Sequence, residues 1–298
     1  MEKDHSARPY VVAVILTWND TEMTSRCIRS VLANTYPRKD VVVVDNGSKV
    51  PGCAPLKEAF PSIVPVQLSY NTGFTGGCNR GMERALKMGA DYVFLLNNDT
   101  IVHEDAIGHV VDAMEARPDA AMATALLLYP GEDRRVQFHT GRLHRDVGRH
   151  THAGDGEPLT EAFRGVVETE FAPACAVLFR RKALEEVGLF DESLFTNWED
   201  YDLCCRFQDK GWKLLTVGQA EVIHAHGQTT GRISPFITYF GTRNRLICLF
   251  RHGRKSAILR QAPFIARSFY WQVRGYGFDN WPAHRAFLKG IVNFLLGV

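Results

Sequence analysis

The feature that most restricts what this chain can fold into is a set of apolar runs, each closed abruptly by Asn or Asp. Val11 to Thr17 reads VVAVILT and stops at Trp18-Asn19-Asp20. Val41 to Val44 reads VVVV and stops at Asp45-Asn46-Gly47-Ser48, and Tyr92 to Leu96 reads YVFLL and stops at Asn97-Asn98-Asp99. Continuous β-branched runs without polar alternation describe strands buried on both faces, and therefore a parallel sheet covered by helices. The segments between the runs supply those helices. Asp20 or Thr21 caps one that places Met23, Cys27, Ile28, Val31 and Leu32 on one side. A second runs from about Cys78 to Met88, and a third carries Ile107, Val110, Val111 and Met114. With Val64 to Tyr70 as a further strand, the order is that of an α/β fold with a Rossmann-like, doubly wound, mostly parallel sheet. A short strand near Ala121 to Leu126 follows. From Leu127 to Glu168 the periodicity fades, which reads as a long loop or irregular excursion. Its histidines His139, His144, His150 and His152 match no tight ligand spacing, so they read as solvated or substrate-facing. Order returns with a strand at Phe171 to Arg181 and helices at Lys182 to Val187 and Trp198 to Lys210. Strands at Lys213 to Val217 and Glu221 to His224 come next, then helical sequence from Pro235.

With 298 residues, 45% hydrophobic and 23% charged, the chain can bury a sizeable core, which excludes disorder and disulfide-stapled miniatures. The seven cysteines contain no C-x-x-C and are odd in number. They read as reduced thiols of a cytoplasmic protein, and the apolar run after Tyr10 is too short for a signal peptide or a membrane span.

Ligands of open parallel sheets bind beyond the carboxyl ends of the strands. Here those ends are Thr17 to Asp20, Asp45 to Ser48, Asn71 to Phe74 and Asn97 to Asp99. Each alone is also an ordinary turn sequence, but together they outline a crevice. The segment Asn71-Thr72-Gly73-Phe74-Thr75-Gly76-Gly77-Cys78-Asn79 invites a dinucleotide reading. Thr75 stands where G-x-G-x-x-G needs glycine, which disfavours a nicotinamide enzyme while leaving backbone N–H groups for a nucleotide. Asp99, a single carboxylate at a strand tip, suits a divalent cation shared with phosphates. Trp198-Glu199-Asp200-Tyr201-Asp202 opens a helix. It reads either as a helix with favourable first-turn charges or as a carboxylate desolvated by aromatic neighbours to act as a general base. His224 and His226 end the last predicted strand on one face.

These motifs, in this order, resemble the family 2 inverting glycosyltransferases of the GT-A fold, and within them the rhamnosyltransferase-like branch. VILTWND, VVVVDNGS, NTGFTGGCNRGM, YVFLLNNDT, the segment LFRRKALEEVGLFDESLFTNWEDYDLCCRF, VIHAHGQTTG and YFGTRNRLICLFRH carry the resemblance from Val11 to His252. It implies that Thr17, Asn19, Asp45, Asn71, Gly73, Phe74, Gly76, Asn79, Asn97 and Asn98 hold the nucleotide donor, with Asp45 on the pyrimidine edge. Asp99 and His224 would hold Mg2+ or Mn2+. Asp200 would be the base beside Glu199, and Trp198 and Arg243 would lie on the acceptor side. The implied reaction moves a sugar, L-rhamnose from dTDP-rhamnose or alternatively a hexose from a UDP-linked donor, onto a glycan or lipid-linked acceptor of the bacterial envelope. A non-catalytic sugar-nucleotide binder is the remaining alternative.

The formal net charge of +2 divides unevenly. From Val222 onward there are eleven Lys and Arg against the single acid Asp279, a surplus of +10 that leaves −8 for the rest. The expected division is thus a catalytic domain over 1–234 and a basic, aromatic-rich helical region over 235–298. That region, with Trp271 and Trp281, suits the inner face of a plasma membrane better than nucleic acid, or else serves as a helical cap or homodimer contact.

Overall fold

A computed structural model describes residues 8–225, 234–253, 270, 274 and 280–297. His226, Trp271 and most of the basic stretch after His252 lie outside the described residues. Strands β1 (Val11–Thr17), β2 (Lys39–Asp45), β3 (Val64–Gln67) and β4 (Tyr92–Asn97) form the parallel half of the main sheet, ordered β3-β2-β1-β4. Every residue of β1 is buried but Leu16, which is half-buried. Each large apolar side chain fully withdrawn from water contributes about 1.5–3 kcal/mol, which explains why the runs carry no polar alternation. The ladders align the strand tips: Thr17 lies opposite Asp45, and Leu16 opposite Asn97.

Helices α1 (Thr21–Ala33), α2 (Cys53–Ala59) and α3 (Gly73–Lys87) connect these strands. Asp20 caps α1 by accepting from the Met23 N–H at 2.9 Å. The glycines of α3 serve a purpose the sequence does not announce. Gly73, Gly77 and Gly81 recur every four residues and face the structure's interior. A Cβ on Gly77 would stand 2.5 Å from Leu16 Cδ1, and one on Gly81 2.2 Å from Val14 Cγ1. Gly77 and Gly81 let α3 lie directly on β1 and β2, while Gly73 faces Phe195.

Past β4 the chain makes a tight turn into β5 (Thr100–Val102), then α4 (Ala106–Ala116) and β6 (Ala120–Leu128). β11 (Ala176–Arg180) inserts antiparallel between β4 and β6, so the second half of the sheet is mixed. β12 (Lys213–His224) lies parallel to β6 and is one strand where the sequence suggests two, because a register shift between Val217 and Glu221 interrupts its pattern. β10 (Val166–Thr169) closes that edge. The stretch 127–168 is not an irregular excursion: it holds β7 (Val136–Phe138), the ribbon of β8 (Thr140–His144) and β9 (Arg149–Ala153), and β10. The strand expected over Phe171 to Arg181 is confined to β11. These elements are short, and β9 is largely exposed, so no burial alternation marks it.

Helix α5 (Arg181–Val187) leads through a 3-10 turn at Glu192–Leu194 to α6 (Glu199–Asp209). Helices α7 (Pro235–His252) and α8 (Trp281–Leu296) pack on each other where Gly290 passes close to the α7 backbone. The hairpin is tied by Asn293 Nδ2 donating to the Tyr239 hydroxyl at 2.8 Å. Among the described residues no helix is long and apolar enough to cross a membrane. All seven cysteines are free and buried.

Candidate active site

At the carboxyl ends of β1, β2 and β4 lies a cavity of about 690 Å³. Thr17, Asn71, Gly73, Phe74, Asn97, Asn98, Asp99 and His224, all singled out in the sequence, line it. Trp18 and Asn46, from the strand ends expected to outline the crevice, and Phe195, Thr196 and Phe236, to which no donor role was given, complete much of its wall. The cavity sits where strand order reverses between β1 and β4, the place an α/β sheet opens a crevice.

Asp99 and His224 meet because of strand register. β5 pairs antiparallel with β12 so that Thr100 lies opposite His224, and the Ala225 N–H donates to the Asp99 carbonyl at 3.0 Å. Asp99 Oδ1 then stands 3.3 Å from His224 Nε2. It is buried and accepts no well-directed hydrogen bond. Gln137, on β7, determines the imidazole's proton arrangement. Its Nε2 donates to the His224 carbonyl at 3.1 Å, which turns its Oε1 toward His224 Nδ1 at 2.7 Å. A carbonyl oxygen only accepts, so Nδ1 carries the hydrogen and Nε2 faces Asp99. Burial disfavours the imidazolium, but the neighbouring Cys175 sulfur and the Asp99 carboxylate outweigh it and push the pKa up to about 10, so a cation bound at Nε2 would have to displace a proton.

This geometry fits a divalent cation: an orphaned buried carboxylate oxygen beside an imidazole whose far nitrogen is anchored. Among the described residues no group of three or more ligating side chains exists. Asp99 and His224 would therefore leave most coordination positions of such a cation to phosphate oxygens and water, the habit of magnesium sites.

Several of the expected donor residues make their hydrogen bonds within the protein. Asp45 is fully buried, and its two carboxylate oxygens accept from the Ser48 N–H at 2.8 Å and the Gly52 N–H at 2.6 Å. It shapes the loop and does not line the cavity, whereas its neighbour Asn46 does. Asn46 accepts from Thr72 N–H and donates to the Asn71 side chain and the Gly73 carbonyl, joining the β2 tip to the glycine turn. Asn19 pairs with Ser48 and Lys49, which locks the β1 and β2 loops together outside the cavity. Asn79 bonds both backbone groups of Phe190, and Gly76 makes room for Thr72; neither reaches the cavity. At the N-terminus of α3 two N–H groups are already used: that of Gly73 donates to Asn71 Oδ1 at 2.8 Å and that of Thr75 to the Phe195 carbonyl at 3.1 Å. Gly73, at φ +80°, must be glycine there: a Cβ would lie 2.4 Å from that same carbonyl.

Glu199 and Asp200 open α6 just beyond Phe195 and Thr196. Asp200 does not line the cavity itself. Burial raises its pKa above the ordinary carboxylate range, against the opposing pull of the backbone N–H of Tyr201 and the charge of His152. Burial, and then the charge of Asp200, hold Glu199 higher still, and Glu199 Oε2 has no hydrogen-bond partner. Trp198 packs at 5.1 Å from Tyr201 and 5.7 Å from His150. His150 stacks on Phe171 at 4.2 Å, with His152 stacked beyond it at 5.0 Å. These two loop histidines thus belong to an aromatic layer beside Asp200. Arg243, expected on the acceptor side, donates to the Ser193 carbonyl and to Asn244 Oδ1, bracing the loop ahead of α6. The residues missed by the sequence reading lay inside quoted motifs (Asn46 within DNGS, Phe195 and Thr196 within LFTNWED). Gln137 lay in the stretch read as irregular and carried no signal.

Comparison with known proteins agrees with this architecture. The chain is similar, at 26% identity over 239 residues, to N-acetylglucosaminyl-diphospho-decaprenol L-rhamnosyltransferase of Mycobacterium tuberculosis, with 74% of this chain and 77% of that protein covered. In fold it is similar to GalNAc-T7 with UDP, GalNAc and Mn2+ (TM-score 0.62, 16% identity, 91% of this chain and 58% of that one). It is also similar to a mannosyltransferase of Pyrobaculum calidifontis in complex with GDP-Man and Mn2+ (TM-score 0.60, 13% identity, 99% and 89%). Both are GT-A glycosyltransferases. The model of the family described as Glycosyl transferase family 2 matches residues 12–188, more than half of the sequence. The chain belongs to glycosyl transferase family 2.

Proposed function

We propose that this glycosyltransferase moves L-rhamnose from dTDP-rhamnose onto a lipid-linked or glycan acceptor of envelope polysaccharide by one inverting displacement. The observation that carries the reading is the Asp99–His224 pair, with Gln137 fixing the imidazole, inside a cavity walled by the strand tips. The nucleotide lies against Thr17, Trp18, Asn46 and Asn71, and its diphosphate reaches toward Asp99 and His224. Asp99 and His224 would hold a divalent cation there, which would supply positive charge to stabilise the departing diphosphate. Asp200 takes the proton of the acceptor hydroxyl as its oxygen bonds to the anomeric carbon and the bond to the diphosphate oxygen breaks. The raised pKa of Asp200 makes it a stronger base than an exposed carboxylate. Glu199, buried beside it, stays protonated.

The similarity to a rhamnosyltransferase named for a lipid-linked acceptor favours the same donor sugar and acceptor type here. Trp281, Leu288, Val292 and Leu295 are exposed on α8 with Arg285 and Lys289 among them, a surface suited to anionic headgroups where such an acceptor would sit. The deciding experiment screens dTDP-, UDP- and GDP-sugars for hydrolysis with and without Mn2+. Metal-dependent turnover of dTDP-rhamnose above the UDP-hexoses is expected; preference for a UDP-sugar would replace the donor. Binding without turnover of any donor, even with acceptor present, would favour a non-catalytic binder.

A further inference from the structure

The loop that joins the donor cavity to α6 is strained. Phe195, Asn197 and Trp198 have φ of +62°, +63° and +75°, a region that side chains other than glycine rarely enter. Such a path persists only where its surroundings over-determine it, and here the surroundings are one face of α7. Asn244, fully buried, donates through Nδ2 to the carbonyls of Leu194 at 2.7 Å, Thr196 at 2.8 Å and Asn197 at 2.9 Å. One turn before it, Phe240 stacks on Phe195 at 5.1 Å and 15°. One turn after, Cys248 Sγ donates to the Trp198 carbonyl at 3.7 Å. A further turn on, His252 Nε2 stands 2.8 Å from Asp202 Oδ1 within α6. Residues 240, 244, 248 and 252 thus hold the loop and the first turn of α6 along a single helical ridge.

This loop has two functional ends. Phe195 and Thr196 line the donor cavity, and Asp200 follows within one helical turn of Trp198. We propose that Asn244 is a positioning residue for transfer: by tying three successive bends of the loop to α7, it sets Asp200 against the donor cavity. On this view α7 belongs to the active site and is not an appendage to it. A purely structural asparagine would lower stability and leave the chemical step unchanged once the protein is folded. The proposal rests on the reading of Asp200 as the base.

The test uses the full chain with Asn244→Ala, Asn244→Asp, Asp200→Asn and the double variant Asp200→Asn/Asn244→Ala. Asn244→Asp keeps the shape and removes both N–H donors. Folding is checked by circular dichroism and melting, nucleotide affinity by calorimetry with Mn2+, and transfer by steady-state kinetics below the melting range. Both Asn244 variants are expected to lose about 30-fold or more in kcat while nucleotide affinity changes by no more than about threefold. The double variant is expected to be no slower than Asp200→Asn alone, since two residues acting through one group are not additive. Folded Asn244 variants with kcat within threefold of wild type, or losses that multiply in the double variant, would overturn the proposal. If Asn244→Ala does not fold, Asn244→Asp and Asn244→Ser, which keeps one donor, are judged by the same two criteria. Normal turnover by Asp200→Asn would instead remove the base assignment, whatever the Asn244 variants do.

Discussion

Replacing Glu199 by Gln separates two explanations of the acidic start of α6, because they predict opposite signs. If Glu199 is there to complement the helix dipole, the amide should cost about 0.3–1 kcal/mol of stability. The structure argues the reverse. Glu199 is buried, Oε2 has no partner, and the charge on Asp200 adds to the burial that raises its pKa. A carboxyl that holds its proton more tightly folded than unfolded makes the unfolding free energy fall as pH rises from the ordinary carboxylate value toward the raised one. Gln cannot ionise in either state, so it removes that loss. Each pKa unit corresponds to about 1.4 kcal/mol, and a gain of about 2 kcal/mol at pH 8 is a reasonable magnitude for a buried, interacting pair. For a chain of this size that is about 3 °C in Tm. Urea unfolding at pH 8, 6 and 4 reads it: the gain should be largest at pH 8 and vanish near pH 4, where both states are protonated. Gln also mimics the protonated Glu beside an ionised Asp200, so the acid side of the rate profile should stay in place. A Glu199→Gln protein that is less stable at pH 8, or whose gain is equal at pH 4, would refute the reasoning.

Asp200→Asn is expected to lower transfer by about 10²–10⁴-fold with nucleotide binding retained; loss of nucleotide affinity in proportion would argue for a donor-site role instead. In the wild type, turnover should fall as pH drops through a value above the ordinary carboxylate range, since the base works only when deprotonated and burial raises its pKa; a limb at an ordinary carboxylate pKa would contradict this. Gln137→Leu removes both hydrogen bonds that Gln137 makes with His224 and should weaken Mn2+ binding about 10–100-fold, measured by calorimetry with nucleotide present; unchanged affinity would mean that the imidazole does not depend on this anchor. Gly81→Ala places a Cβ 2.2 Å from Val14 Cγ1 and should cost about 1–3 kcal/mol in urea unfolding; a neutral result would show that α3 can lift from β1 at no cost.

The parts of this molecule legible in its sequence are those in which one physical force acts alone. β1, β2 and β4 are buried on both faces, so burial wrote uninterrupted Val, Ile and Leu into them, and their polar tips mark where burial ends. Asp99 and His224 could each be named as a strand-tip residue, but their meeting depends on the register of β5 against β12, which belongs to neither segment. Asp45 is ambiguous for a related reason. A carboxylate at a strand end suits a ligand or its own loop equally well in sequence, and the N–H groups of Ser48 and Gly52 that it accepts from become visible only in the folded loop. The loop from Phe195 to Trp198 was least legible, since its left-handed turns use Phe, Asn and Trp where local propensity favours glycine. That conflict is resolved fifty residues away by Asn244. A strained loop held by a distant helix is a local rule broken where the fold needs a particular geometry, and such breaks gather at functional sites. The same logic makes α7, rather than any glycine of α3, the element whose removal should most disturb the placement of Asp200.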